Sequence, residues 1–153
     1  MLTIEEELHT QKFNSEIQKA HLNILFTASW LKAIFLQRIK VFGISLEQYN
    51  VLRILRGALP HGLCVLEIRK RMIDKNSNVT RIIDKLVAKN LVLKQRSETD
   101  KREWNVSIST QALELLQKID QEFEQNPLHQ SILTQEQAQT LNQLLDLIRI
   151  KKA

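Results

Sequence analysis

The chain has 153 residues, enough for one domain or for one domain with an extension. A hydrophobic fraction of 43% disfavours global disorder, no apolar run approaches the roughly 18 residues of a membrane span, and a single cysteine excludes an intramolecular disulfide. The net charge of +5 is concentrated, because residues 45–110 carry 13 Lys and Arg against 7 Asp and Glu while the remainder carries 9 against 10.

Residues 3–42 are predicted to be mostly helical. They contain neither Pro nor Gly, and apolar residues recur at steps of three and four, namely Ile17, Ala20, Ile24, Ala28, Leu31, Phe35 and Ile39. A break over Thr10–Asn14 would leave Ile4 and Leu8 on a short first helix. Gly43 is expected to end the long helix.

Two short helices are predicted to follow. Ser45 and Gln48 form a capping-box pattern at the start of the first, whose expected buried stripe is Leu46, Tyr49, Leu52 and Leu55. Leu63–Val65 is compatible with a small edge strand. The next helix is predicted over Leu66–Met72, with Leu66, Met72 and either Ile68 or Ile73 facing inward.

The central segment Asn76–Asn90 is predicted to be one helix of about four turns with two different faces. Its expected apolar face comprises Val79, Ile82, Ile83, Leu86 and Val87. The opposite face carries Ser77, Arg81 and Asp84, flanked by Thr80 and Lys85. Cations and short polar side chains of this kind suit a DNA major groove, and they also suit an ordinary solvated helix face.

The pattern then changes from helix to strand. Leu91–Ser97 and Trp104–Ser109 alternate between apolar and polar residues and are joined by the charged segment SETDKRE, which predicts a hairpin with a protruding tip. A helix from Ser109 or Thr110 to about Gln125 follows, with Leu113, Leu116, Ile119 and Phe123 as its stripe. Thr134 and Gln137 are expected to open a last helix.

This order predicts a mainly α protein with a small β-hairpin, a winged helix-turn-helix. We expect one domain over 1–153, with a DNA-binding lobe at 45–109 and dimerisation helices at 1–42 and 110–153. The outer helices carry apolar stripes that so small a domain cannot bury alone, so we expect a twofold dimer. The predicted dimer residues are Ile4, Leu8, Leu116, Ile119, Phe123, Leu141, Leu144, Leu145 and Ile148.

The segment MIDKNSNVTRIIDKLVAKNLVLKQRSETDKREWNVSIS resembles the core of the MarR family of bacterial transcriptional regulators. The resemblance rests on the T-R-x-x-D-x-L pattern of Thr80–Leu86, on the two strands and on the D-x-R of Asp100 and Arg102, and it is close from about Ser45 to Leu116. Asn90, Ser109 and Ala112 depart from the family pattern, which usually has Gly, Thr and Gly at these three positions.

The resemblance implies a homodimer that binds a pseudo-palindromic DNA operator and responds to a small ligand, as a repressor. The hypothesis places Arg102 in the minor groove, held by Asp100, with Arg96 and Lys101 on phosphates. The candidate DNA-binding residues are Asn76, Ser77, Asn78, Thr80, Arg81, Lys85, Arg96, Asp100, Lys101 and Arg102. A winged-helix module that binds a protein partner is the alternative function.

Other features leave narrower alternatives open. Phe26, Trp30 and Tyr49 are candidate contacts for a small aromatic or phenolic effector, although core packing is the default for such residues. Cys64 lies between apolar residues, which favours a buried structural thiol over a redox sensor.

No catalytic or cofactor-binding pattern is found. The four histidines are scattered without a metal-ligand spacing, and three glycines cannot build a phosphate-binding loop, so we predict no enzyme, no metal and no cofactor. The acidic N-terminus lacks the features of a signal peptide, which predicts a cytoplasmic protein without a membrane anchor.

Overall fold

The computed structural model describes residues 2–10, 12–96, 104–126 and 133–149. Its elements follow the predicted order, including the short edge strand considered near Leu63. They are α1 (Ile4–Glu7), α2 (Glu16–Lys40), α3 (Leu46–Arg56), β1 (Leu63–Cys64), α4 (Val65–Arg71), α5 (Val79–Ala88), β2 (Val92–Arg96), β3 (Trp104–Ile108), α6 (Thr110–Gln125) and α7 (Gln135–Ile148). The chain divides into two compact units, Met1–Gln117 and Lys118–Ala153.

The N-terminal segment forms two helices, as the predicted break implies. Thr3 and Glu6 make a reciprocal capping box on α1, and the Glu5 carboxylate pairs with the Lys19 ammonium of α2. Gly43 has a φ of 71°, the left-handed conformation that ends this region.

The apolar stripe of the long helix is mostly left unburied, in line with the expectation that so small a domain cannot bury it alone. Only Ile39 of α2 is buried, and Ile17 is 70% exposed. The three-and-four spacing correctly placed the apolar residues on one side of α2. Within the described chain, little packs against this side except α3, which contacts the C-terminal end of α2. Periodicity gives the direction of a face and cannot supply the element that covers it.

Helix α3 lies at the centre of the first unit. The Ser45 hydroxyl accepts from the Gln48 N–H, and the Gln48 side chain accepts from the Ser45 N–H at 3.0 Å, which confirms the capping box. The buried residues are Gln48, Val51, Leu52 and Leu55. Leu46 and Tyr49 are only half-buried, contrary to the prediction, because α3 packs against α2, α4, α5 and β3 and turns the Val51 side inward.

The sheet has three antiparallel strands in the order β1-β3-β2, which confirms the short edge strand near Leu63. Leu63 pairs with Val106 and Cys64 with Asn105. Gly62 lets the two backbones approach, since a Cβ there would lie 2.8 Å from the Val106 carbonyl oxygen. Cys64 is half-buried, which is less than its apolar neighbours predicted.

Helix α4 begins one residue earlier than predicted and packs on α3, α5, β1 and β3. Ile68 and Met72 are buried, as predicted. Leu66 is exposed, contrary to the prediction, because it borders the open space between α4 and the start of α5. Of the two alternatives, Ile68 is the buried one, and Ile73 lies beyond Met72, whose extended conformation ends the helix.

Strands β2 and β3 pair from Val92 opposite Ile108 to Arg96 opposite Trp104. Val92, Val106 and Ile108 face the core of the unit. Asn90, with a φ of 57°, makes the left-handed turn between α5 and β2 that the sequence predicted. The predicted hairpin tip, including Asp100, Lys101 and Arg102, lies outside the described residues.

The two C-terminal helices agree with the predicted bounds. The Ser109 hydroxyl accepts from the Ala112 N–H at 3.1 Å at the start of α6, and Thr134 and Gln137 form a capping box on α7. Ala112, Leu116 and Ile119 are buried, whereas Leu113 and Phe123 are half-buried. Helix α7 has no buried residue. Across the described ranges, no helix is both long enough and apolar enough to cross a bilayer.

Candidate nucleic-acid interface

Helix α5 is shorter than the sequence predicted. It spans Val79–Ala88 and not Asn76–Asn90, because the Asn78 side chain accepts from the Arg81 N–H at 3.1 Å and caps its first turn. Before it, the Asp74 carboxylate accepts from the Asn76 N–H at 2.9 Å and forms a tight turn. Asn76 and Ser77 therefore precede the helix.

The apolar side of α5 faces its own chain. Val79, Ile83 and Leu86 are buried where the helix meets α3, α4 and β2. Ile82 is half-buried and Val87 is 37% exposed, so the predicted five-residue face is narrower than expected. The buried line fixes which side of α5 points outward.

The outward side of α5 presents Thr80, Arg81 and Lys85, all exposed. Within the described residues, the side chains of Arg81 and Lys85 make no hydrogen bond or ion pair, so both charges are open to solvent. Arg offers a bidentate donor fork to guanine or phosphate, and Lys offers a flexible point charge. This side of the helix can therefore meet an anionic groove.

A cleft of about 460 Å³ lies beside the start of α5, between it and α4. It is lined by Val65, Leu66, Arg69, Asn76, Ser77, Asn78, Val79 and Thr80. The Ser77 hydroxyl oxygen is buried and has no hydrogen-bond partner among the described residues. The sequence predicted an outward Ser77, but the residue is half-buried and its hydroxyl faces away from solvent. Asn76 and Asn78 are exposed at the rim.

One long-range hydrogen bond holds the turn between α4 and α5, and another holds the C-terminal end of α5. The Asn50 side chain of α3 accepts from the Ile73 N–H at 2.9 Å. The Lys89 ammonium donates to the Gly43 carbonyl oxygen. Sequence reasoning did not find these anchors, because their partners are 23 and 46 residues apart and no local pattern links them.

Asp84 is tied to the sheet, although the sequence placed it only on the outward face of α5. Its carboxylate lies 2.9 Å from the Lys94 ammonium of β2. Lys94 also lies 5.0 Å from the Trp104 ring centroid, and Arg96 stacks on the same ring at 4.2 Å. A charged and aromatic network therefore connects α5 to the base of the hairpin.

Helix α4 neutralises part of its own charge. Glu67 pairs with Lys70 at 2.7 Å and with Arg71 at 3.9 Å. The hydrogen bond from Lys70 lowers the pKa of the Glu67 carboxyl, and the same bond raises the pKa of the Lys70 ammonium. The exposed Arg69, at the cleft, makes no ion pair with a described residue and so remains available to an anion.

The predicted dimer residues fall into two groups. Those with little exposed surface are Ile4, Leu116 and Ile119, which are buried, and Phe123 and Leu145, which are half-buried. The exposed ones are Leu8, Leu141, Leu144 and Ile148. Only the second group leaves substantial apolar surface exposed in the described chain.

The three candidate effector contacts lie on α2 and α3. Trp30 is 56% exposed, and Phe26 lies one turn before it and is half-buried. The Tyr49 hydroxyl accepts from the Arg53 guanidinium at 3.2 Å. All three are therefore accessible to some degree, and Trp30 is the most open of them.

The arrangement of packed short helices beside a three-stranded sheet is shared with known proteins. The family model described as MarR family matches residues 44–104. A MarR transcription factor from Planctomyces limnophilus is 31% identical, with a TM-score of 0.66 over 92% of this chain and 100% of that chain. The chain belongs to the MarR family. It is a MarR-family transcriptional regulator with a winged-helix fold.

Two further solved structures share the MarR fold. A mutant MarR from E. coli complexed with operator DNA has a TM-score of 0.77 at 24% identity, over 92% of this chain and 100% of that one. A MarR-like transcription regulator from Bacillus cereus has a TM-score of 0.75 at 20% identity, over 88% and 96% of the two chains. No curated protein sequence matches the chain significantly.

Proposed function

We propose that this MarR-family protein is a homodimeric, sequence-specific double-stranded DNA-binding regulator and that it acts as a ligand-responsive repressor. The observation that carries the proposal is the outward side of α5, where Arg81 and Lys85 are exposed and make no ion pair with a described residue. The buried line of Val79, Ile83 and Leu86 holds this side in one orientation. The solved E. coli MarR complex with operator DNA supports the same use of the fold.

The proposed dimer presents two copies of α5 to one operator. The exposed apolar residues Leu141, Leu144 and Ile148 of α7 support a second copy as the partner. Recognition helices of such dimers are spaced by roughly 34–36 Å, one turn of duplex. We therefore expect a pseudo-palindromic operator, and a half-turn insertion between its half-sites should abolish binding of the dimer.

The proposed effector is a small aromatic or phenolic molecule. Trp30 supports this proposal because more than half of this aromatic side chain is open to solvent on α2, with Phe26 one turn away. A panel of aromatic acids should change tryptophan emission and lower operator affinity. The emission change should be lost in Trp30→Phe, and an unchanged response in that variant would remove Trp30 from the site.

DNA binding is tested by fluorescence anisotropy with duplexes selected from random sequence. Affinity should fall steeply between about 50 and 200 mM salt, because bound phosphates release counterions. Arg81→Ala should cost ~1–3 kcal/mol on the selected duplex if Arg81 reads a base, whereas loss of a phosphate contact weakens all duplexes alike. Lys32→Ala, which removes an exposed charge on α2, is the matched control.

A protein-binding module would behave differently. Its surface would depend on apolar or aromatic anchors, and its affinity for duplex would be weak at both salt concentrations. If Arg81→Ala and Lys32→Ala bind the selected duplex equally well, α5 is not the reading element and the proposal for its residues is wrong.

A further inference from the structure

The base of the hairpin holds a small network that the helix-turn-helix alone does not require. Trp104 is the first residue of β3 and lies opposite Arg96, the last residue of β2. Such directly opposed side chains on antiparallel strands are within contact distance. The Arg96 guanidinium carbon lies 4.2 Å from the centroid of the Trp104 ring, close enough for stacking of the two planar groups.

The same ring has a second cation. The Lys94 ammonium lies 5.0 Å from the ring centroid and 2.9 Å from the Asp84 carboxylate of α5. The Lys94 side chain is only 21% exposed, so its position is restricted. The order of contacts is therefore Asp84, Lys94, Trp104 and Arg96, running from the recognition helix to the root of the hairpin.

Trp104 is poorly explained as a core residue. It is 36% exposed, whereas Val106 and Ile108 on the same face of β3 are buried. A tryptophan that keeps so much surface in water gains less from burial than its size allows. Its contacts with the two neighbouring cations, Lys94 and Arg96, explain a tryptophan at this position better than core packing does.

We propose that Trp104 is a positioning residue for DNA binding, which orients Arg96 toward a backbone phosphate and fixes it relative to α5 through Lys94 and Asp84. This inference rests on the proposed function. Arg96 is exposed and carries the charge, and Trp104 restricts the directions in which its long side chain can point. A restricted cation loses less conformational freedom when it meets a phosphate.

The test uses the full chain and a selected duplex that the wild type binds, with affinity measured over a series of salt concentrations. Trp104→Leu and Arg96→Ala should each weaken binding about tenfold and should lower the salt slope, by about 0.9 for each phosphate that the protein no longer neutralises. The double variant should bind no more weakly than either single variant, because both substitutions remove the same interaction. Trp104→Tyr keeps an aromatic face and should restore most of the affinity and slope.

A DNA-free measurement accompanies the titrations. The chain has two tryptophans, so Trp30→Phe leaves Trp104 as the only indole reporter. In the Trp30→Phe variant, Arg96→Ala should shift the emission of Trp104, and Lys94→Met should also shift it, because each removes a cation near the ring. Lys12→Ala, an exposed cation before α2, is the control and should change neither emission nor slope.

The outcomes separate the two proposals. If the wild type binds no duplex even at low salt, the proposed function is wrong and the role of Trp104 falls with it. If the wild type binds but Trp104→Leu lowers only the melting temperature and leaves the salt slope unchanged, Trp104 is merely structural. Additive losses in the double variant would likewise overturn the positioning role while leaving DNA binding intact.

Discussion

Helices α5 and α7 have the same kind of sequence and opposite surroundings. Both carry apolar residues at steps of three and four, and both begin at a side-chain cap, Asn78 for α5 and Thr134 for α7. In α5 the apolar residues Ile83 and Leu86 are fully buried by neighbouring elements of the chain. In α7 none is buried, and Leu144 is 54% exposed.

The difference shows what an amphipathic pattern does and does not encode. For α5 the chain covers the apolar side, so the polar side is left for a partner. In α7 the apolar residues Leu141, Leu144 and Ile148 are exposed, and grouped apolar surface residues are typical of interaction sites. The same pattern therefore supports the proposed DNA-binding face of α5 and the proposed protein-binding face of α7.

The largest expected effect comes from opening the buried side of α5. Ile83→Ala should lower the free energy of unfolding by about 2–5 kcal/mol, because it leaves a cavity at a fully buried position. Val87→Ala is the matched control on the same helix, at a partly exposed position, and should cost much less. Urea denaturation at one fixed protein concentration measures both, and equal losses would contradict the assigned orientation of α5.

The next effect tests the uncovered side of α7. Leu144→Glu should raise the dissociation constant of the proposed dimer at least tenfold, since each leucine buried at its interface would contribute ~1.5–3 kcal/mol and a twofold dimer contains two copies. Sedimentation equilibrium measures the constant. Gln143→Glu adds the same charge at an exposed neighbouring position and should leave it nearly unchanged. An unaffected dimer in Leu144→Glu would show that α7 pairs through another side.

A smaller effect is expected at the start of α5. Asn78→Ala removes the acceptor that caps the Arg81 N–H and should cost about 1 kcal/mol of stability in the absence of DNA. Asn76→Ala changes the same residue type two positions earlier, where only the backbone N–H is used. Thermal unfolding of both proteins checks the prediction, and a larger loss in Asn76→Ala would contradict the observed N-cap.

Local sequence signals predicted the ends of elements well. Ser45 with Gln48 and Thr134 with Gln137 form the predicted capping boxes, and Asn90 takes the left-handed conformation. These features depend on residues within three positions of one another, so the sequence contains the whole interaction. The alternation of β3 likewise predicted a strand with one apolar face, and Val106 and Ile108 of that face lie in the core.

Contacts between distant segments could not be predicted from the sequence. The Asp84–Lys94 pair and the stacking of Arg96 on Trp104 depend on the register of β2 and β3 and on how α5 packs against the sheet. The start of α5 was misplaced because the polar residues before it continue the helical spacing, whereas the Asn78 cap overrides it. For α2 the pattern predicted which side of the helix is apolar. It could not by itself predict that most of this side would be left unburied in the described chain.

The smallest predicted effect concerns the pair that joins α1 to α2. The hydrogen bond from Lys19 lowers the pKa of the Glu5 carboxyl below its ordinary value, and the same bond raises the pKa of Lys19. Because the folded pKa of Glu5 is the lower one, its contribution to stability is present above the unfolded pKa and is lost as the pH falls through the folded value. The Lys19 contribution is lost only as the pH rises through its own raised value.

Lys19→Met should therefore return the pKa of Glu5 toward its ordinary value of 4.5, which an NMR titration of the carboxyl carbon can follow. Both side chains are about three-tenths exposed, so solvent screens the pair and the change in melting temperature should be slight. Lys12→Met is the control and should leave the titration of Glu5 unchanged. A Glu5 pKa that does not move in Lys19→Met would show that the pair with Lys19 does not set the pKa of Glu5 and contributes nothing to the position of α1.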